Sequence, residues 1–401
     1  MGCIKPKIKK KEFINDDNSK ENFQKINNDS FMNGKNNIDI LNINKKNECF
    51  KCLKKKQKET SNINLKQNSS AISKDKYKKY SLNNENNKIK LFGLKNLKFD
   101  CYLNSSLQVF FHLKLFNEKI KNFGSQFKSK ELSNKYLELI NEIDKGKSTI
   151  FDAKGIKNKL SEIESKYKYD YQHDANEFIS LFLNQMKEEV KSIKNSDKKT
   201  IIQPKPNEKE SFEKLENRFF KKFNSFLTEL FYGRLKKEII CLNCNEVIKV
   251  NFQVYNMIEL LDSSNNSLEN LLIKYQKEKQ ISSKIKIICQ HCKSDVFNYY
   301  SKTTIYNLPY YFIIYLVYPI YNFNENDYII KSNNICEKNN NEEYELISSI
   351  AYYGNNKNGH YYAKCKDYDG TWYNFSDENY RKIENKNIID SNDVILFFKK
   401  K

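Results

Sequence analysis

Two pairs of cysteines carry the plainest chemistry in the sequence. Cys241-Leu242-Asn243-Cys244 and Cys289-Gln290-His291-Cys292 are Cys-x-x-Cys knuckles. Four thiolates arranged as two such pairs suit one tetrahedral zinc ion, with no open position for a substrate. His291, between the second pair, is an alternative ligand but reads as an exposed knuckle residue. Cys49 and Cys52 form a third pair without a partner pair, and they read as unliganded. Cys101 and His360 are the second kind of candidate. Cys101 stands where a turn meets a run of helical spacing, Leu103, Leu107, Phe110 and Phe111. A thiol at a helix start sits near partial positive charge, which favours the thiolate a nucleophile needs. On position alone, however, Cys101 reads better as a small buried apolar residue, and His360 as a histidine satisfied inside a strand.

The surrounding elements must hold such groups together. Residues 1 to 88 are rich in Asn, Lys and Ser, too polar to offset the chain entropy of folding, and are expected to be disordered. From 89 to 401 apolar runs recur and predict one globular unit. Polar inserts are expected near 191–214 and 321–343, neither with a core pattern of its own. Ala175 to Val190 reads as a second helix. Tyr310–Val317, Tyr344–Tyr353, His360–Lys366 and Val394–Lys399 read as strands. Helices early and strands late predict an α+β fold.

The chain has 401 residues and a formal charge of +20. Arginine occurs only at Arg218, Arg234 and Arg381, and lysines are spread throughout. This pattern argues against nucleic acid, whose sites use clustered arginine forks. No run of 18 apolar residues is present, so no spanning helix is expected. The start lacks the apolar core of a signal peptide, and the sequence reads as cytoplasmic.

The segment from Gly93 to Gln108, Gly-Leu-Lys-Asn-Leu-Lys-Phe-Asp-Cys-Tyr-Leu-Asn-Ser-Ser-Leu-Gln, resembles the cysteine box of the ubiquitin-specific proteases. Gly359-His360-Tyr361-Tyr362 resembles their histidine box. The resemblance covers about residues 90–400 and implies a papain-like fold with an antiparallel sheet and zinc-ribbon fingers, here about 231–305. It implies a thiol protease that hydrolyses the bond after ubiquitin's terminal glycine through an acyl-enzyme on Cys101. His360 would be the base, and Asn96 an oxyanion donor. Four residues after Trp372 the family places the residue that orients the histidine. Ser376 stands there, with Asp377 next. Ser376 is expected as the direct partner, with Asp377 in support. Gln172 and Asp174, in Tyr171-Gln172-His173-Asp174-Ala175, match the box that holds ubiquitin's basic tail. Without that match, Asp174 reads as a helix cap. Phe231-Tyr232-Gly233-Arg234 before the first knuckle supports the structural zinc.

The sequence departs from the family at Lys98, where Gly is usual, at Asp100, where Thr is usual, and at His173, which replaces a Gln. Asp100 can cap the helix, but its charge opposes thiolate formation. Two rival functions follow: a protease for another ubiquitin-like modifier, and a catalytically weak ubiquitin-binding module. The start Met1-Gly2-Cys3-Ile4-Lys5 resembles dually acylated termini. Myristate on Gly2 and palmitate on Cys3 would add peripheral membrane contact.

Overall fold

The computed structural model describes residues 91–128, 131–195, 225–261, 267–320, 323, 325–338, 341–354, 359–384 and 388–401. The expected disordered tail, Gly2, Cys3 and the Cys49/Cys52 pair lie outside these residues.

In chain order the main elements are β1 (Gly93–Leu94), α1 (Cys101–Phe111), α2 (Lys114–Phe123), α3 (Leu132–Lys145), β2 (Ile150–Phe151), α4 (Lys154–Ile163), α5 (Ala175–Asn195) and α6 (Phe226–Phe231). There follow β3 (Gly233–Cys241), β4 (Val247–Tyr255), β5 (Ile258–Leu260), α7 (Leu268–Tyr275), β6 (Lys279–Ile288), β7 (Asp295–Asn307) and β8 (Tyr311–Leu316). The chain closes with β9 (Ile329–Lys331), α8 (Ser332–Ile335), β10 (Glu343–Gly354), β11 (Gly359–Lys366), β12 (Trp372–Ser376), β13 (Asn379–Lys382) and β14 (Asp393–Lys400).

The large sheet runs β13-β12-β11-β10-β14-β8-β5, with β9 on β10. It is antiparallel except for β5 on β8. Its central strands are buried on both faces, which is why they read as unbroken apolar runs rather than alternating ones. Successive residues point to opposite sides. Tyr311, Ile313 and Tyr315 of β8 join Ile395 and Phe397 of β14 in a core shared with α1 to α6. Phe312, Ile314, Leu316, Leu396 and Phe398 join a second core with Leu268, Leu271 and Leu272 of α7. Each full burial of such a side chain stabilises the fold by about 1.5–3 kcal/mol. The second sheet, β4-β3-β7-β6, projects the cysteine knuckles at its end.

The structure differs from the sequence expectation at one insert. Within 321–343, β9 pairs with β10, and Ile330 and Ile335 enter the second core. A short strand and a single helical turn are too brief to show a period, so their burial was not visible in the pattern. The insert at 191–214 begins inside α5, which ends at Asn195; the rest lies outside the described residues.

Candidate active site

Helix α1 starts at Cys101 itself, and every residue of the helix is buried. Asp100 holds the N-cap position but makes no cap hydrogen bond with its side chain. The capping expected of it is therefore absent. Its buried carboxylate is drawn instead to Lys157 of α4, with Nζ 2.8 Å from Oδ1. The turn that delivers Cys101 has positive φ at Lys98 (159°) and Phe99 (50°). Phe99 is in the left-handed region, costly for a residue with a Cβ, so the surrounding contacts must hold it.

Those contacts converge on Asp377. Asn96 Nδ2 donates to Asp377 Oδ2 at 2.7 Å, and Asn104 Nδ2 donates to Oδ1 at 2.9 Å. Asn96 Oδ1 accepts the backbone N–H of Asp100 at 3.2 Å. The backbone joins in, with Leu94 N–H donating to the Asp377 carbonyl at 2.8 Å. Gly93 permits this approach, because a Cβ there would lie 2.2 Å from the Glu378 carbonyl oxygen.

His360 enters from the first residues of β11. A Cβ on the preceding Gly359 would lie 1.9 Å from the Tyr352 hydroxyl, so any larger residue there would have to displace the Tyr352 ring. His360 Nε2 lies 2.8 Å from Ser376 Oγ and 3.8 Å from Asp377 Oδ2. Adjacent strand residues normally face opposite ways. Here β12 ends at Ser376 and Asp377 turns, with φ 51°, so both side chains approach one imidazole. A cleft of about 470 Å³ adjoins His360 and Ser376 on the outer sheet face, lined also by Tyr353, Tyr362, Tyr380 and Arg381.

Asp174 precedes α5, and its carboxylate accepts from the Tyr361 hydroxyl at 3.3 Å. Tyr361 is the residue after His360, so the α5 start and β11 are tied beside the imidazole. Burial, with Glu177 adding to it, pushes the Asp174 carboxyl up to about 6. His173 packs edge-on against Tyr102, with ring centres 5.3 Å apart, and burial lowers its pKa. Gln172 Oε1 and His173 Nε2 are buried without a hydrogen-bond partner. Of the other histidines, His112 is buried just past α1, with Nδ1 2.7 Å from the Gln108 carbonyl. His291 is exposed.

The Sγ atoms of Cys241, Cys244, Cys289 and Cys292 all lie within 4.8 Å of one another. Two of the separations are 3.8 Å, Cys241 to Cys292, and 3.7 Å, Cys244 to Cys289. Sulfurs placed tetrahedrally at ~2.3 Å from zinc stand roughly 3.8 Å apart, so the cluster fits a structural zinc. The two knuckles are built alike. Asn245 N–H bonds the Cys241 carbonyl and Lys293 N–H bonds the Cys289 carbonyl, both at 2.9 Å. Asn245 (φ 57°) and Lys293 (φ 60°) are both left-handed.

The ubiquitin carboxyl-terminal hydrolase family model matches residues 92–398. The chain belongs to that family. A probable ubiquitin carboxyl-terminal hydrolase of Acanthamoeba polyphaga mimivirus is 25% identical over 264 residues, covering 57% of this chain and 54% of the relative. Ubiquitin carboxyl-terminal hydrolase Usp2 of Drosophila melanogaster is 25% identical over 360 residues, covering 83% of this chain and 38% of the relative. The chain thus spans about half or less of the length of these curated relatives. Among solved structures, the SAGA DUB module with Ubp8 bound to monoubiquitin matches with a TM-score of 0.61 at 18% identity, over 82% of this chain and 74% of that one. The yeast SAGA DUB module matches with a TM-score of 0.59 at 19% identity, over 78% and 69%. These structures share the fold.

Within the hydrolase domain, sequence reasoning missed Asn104, Lys157, Asp170 and Tyr361. Asn104 lies three residues past Cys101, where it passes for helix filler. Lys157 stands in a run of lysines with no motif around it. Only the three-dimensional pairing singles them out.

Proposed function

We propose that this hydrolase-family chain is a cysteine-type deubiquitinase. The supporting observation is the single frame that joins the Cys101 helix, through Asn96 and Asn104, to Asp377 and Ser376, and through these to His360. Cys101 attacks the carbonyl carbon of ubiquitin's terminal glycine as a thiolate. His360 then protonates the departing amine, and later takes a proton from the water that hydrolyses the thioester. Ser376 and Asp377 hold the imidazole through Nε2, which leaves Nδ1 for that proton traffic. Asn96, with one amide hydrogen on Asp377, retains a second that can meet the oxyanion. Gln172 and Asp174 hold the basic ubiquitin tail, Asp174 as a carboxylate beside the imidazole strand. The four knuckle cysteines would hold zinc, and the metal's part there is to fasten the finger strands.

A ubiquitin probe with a C-terminal electrophile tests this reading. Covalent labelling at Cys101, lost in Cys101→Ala together with cleavage of ubiquitin conjugates, is the expected result. Labelling by a different ubiquitin-like modifier probe alone would reassign the substrate. No labelling by any probe, with ubiquitin still bound, would make the domain a binding module.

A further inference from the structure

The two charges that set this chain apart from the family's cysteine box, Lys98 and Asp100, are the ends of one alternating series. Lys98 Nζ lies 3.1 Å from Asp170 Oδ2. Asp170 Oδ1 lies 3.2 Å from Lys157 Nζ, and Lys157 Nζ lies 2.8 Å from Asp100 Oδ1. The series runs inward from solvent: side-chain exposure is 69% at Lys98, 46% at Asp170, 14% at Lys157 and 3% at Asp100. Its inner end adjoins the nucleophile in sequence. The Asp100 N–H donates to Asn96, and the Asp100 carbonyl accepts the Asn104 N–H at 2.8 Å. Both asparagines hold Asp377, so the Asp100 backbone is part of the catalytic frame.

A buried carboxylate on the residue before a nucleophilic thiol is a liability. Left ionised and unpaired, it opposes formation of a second negative charge at Cys101. Burial is the strongest influence on the Asp100 carboxyl and pushes it above its ordinary value; Lys157 pulls it back, while Asp170 and Asp377 push it further up. Burial also disfavours the Lys157 ammonium, but Asp100 and Asp170 outweigh that and raise it, keeping it charged. His360 faces the site from β11, and His173 lies against Tyr102 from the α5 side.

We propose that Lys157 is a positioning residue of this active site: its ammonium pairs with the buried Asp100 carboxylate, so that Cys101 ionises beside a neutral pair, and it pins α4 to the start of the nucleophile's helix. Asp170 holds Lys157 from outside, with Lys98 capping the series. The proposal rests on Cys101 being the nucleophile of the deubiquitinase reading.

The test measures the pH dependence of iodoacetamide alkylation at Cys101 by mass spectrometry, beside the pH profile of kcat/KM on a ubiquitin substrate, in the full chain. Lys157→Met should move the acid limb of both profiles up by about one pH unit and lower kcat/KM at pH 7 roughly tenfold. Asp100→Asn should move the limb the other way, because it removes the inner carboxylate and leaves the ammonium opposed by the outer Asp170 alone. The double variant should return the limb close to wild type. An unchanged profile in Lys157→Met, or a double variant as displaced as Lys157→Met, overturns the proposal. If Lys157→Met does not fold, Asp100→Asn decides alone: an unmoved or raised limb refutes it. Alkylation needs no ubiquitin, so variants that show the expected alkylation shifts, with a wild-type protein that does not cleave ubiquitin, would sink only the substrate reading.

Discussion

Ser376 Oγ is 2.8 Å from His360 Nε2, a full ångström nearer than the closest Asp377 carboxylate oxygen at 3.8 Å. The hydroxyl therefore touches the imidazole, while the carboxylate stands behind it, fastened by the amides of Asn96 and Asn104. One residue supplies contact and the other supplies charge and anchorage.

Removing each should separate these parts. Ser376→Ala deletes one hydrogen bond and leaves the anchor, so kcat should fall about tenfold. Asp377→Ala also releases Asn96 and Asn104, and its loss should approach the ~10²–10³ seen when an oxyanion donor is removed. Steady-state kinetics on a ubiquitin substrate measures both. A Ser376→Ala enzyme more damaged than Asp377→Ala would mean that the hydroxyl alone orients the ring.

Asp174 should make ubiquitin binding pH-dependent. Its folded-state pKa is raised to about 6. Between the ordinary value of 3.8 and that value the folded protein holds a proton that the unfolded chain releases. This group's effect on stability is therefore to lower it as pH rises through that window. Binding runs the other way, because the cationic tail needs the carboxylate. The affinity of Cys101→Ala for ubiquitin, measured by calorimetry from pH 5 to 8, should rise through about pH 6. In Asp174→Asn the step should vanish. A step that persists in Asp174→Asn would assign it to another group.

Metal analysis should find one zinc per chain. Cys244→Ser should lose it and lower the unfolding temperature, since binding free energy at such a site is also folding free energy. The cluster's own apolar core is small, with Cys241, Cys289 and Val296 its buried members, so little else fastens the knuckles. Full stability without metal would refute the assignment.

Much of this site is written locally in the sequence. Cys101 opens a helix whose apolar spacing is plain, and His360 lies at the head of a strand that reads correctly within a residue. The knuckles show because a metal fixes ligand spacing. What hid was the pairing between distant residues of common type. Lys157 is one lysine among many, and nothing near it says that it meets Asp100. The left-handed turn at Asp377, which lets two successive residues serve one ring, falls on a residue type compatible with that geometry but not diagnostic of it. The finger strands were also faint, because β4 is half-exposed and β6 exposed along most of their length, and so both lack a clear apolar side.

The great sheet acts as a party wall between two apolar rooms. Phe397 and Phe398 are consecutive on β14, yet one faces the room that contains the Cys101 helix and the other faces away from it. Truncating either to Ala opens a void of similar size and costs a similar ~3–5 kcal/mol. The consequences diverge all the same. A void at Phe397 gives slack to Phe110, its ring neighbour on the Cys101 helix at 6.2 Å. A void at Phe398 is absorbed among residues that share no core with that helix. Tolerance to mutation from Ile395 to Phe398 is thus set by parity: the odd positions carry the seating of the Cys101 helix as well as stability, and the even positions carry stability alone.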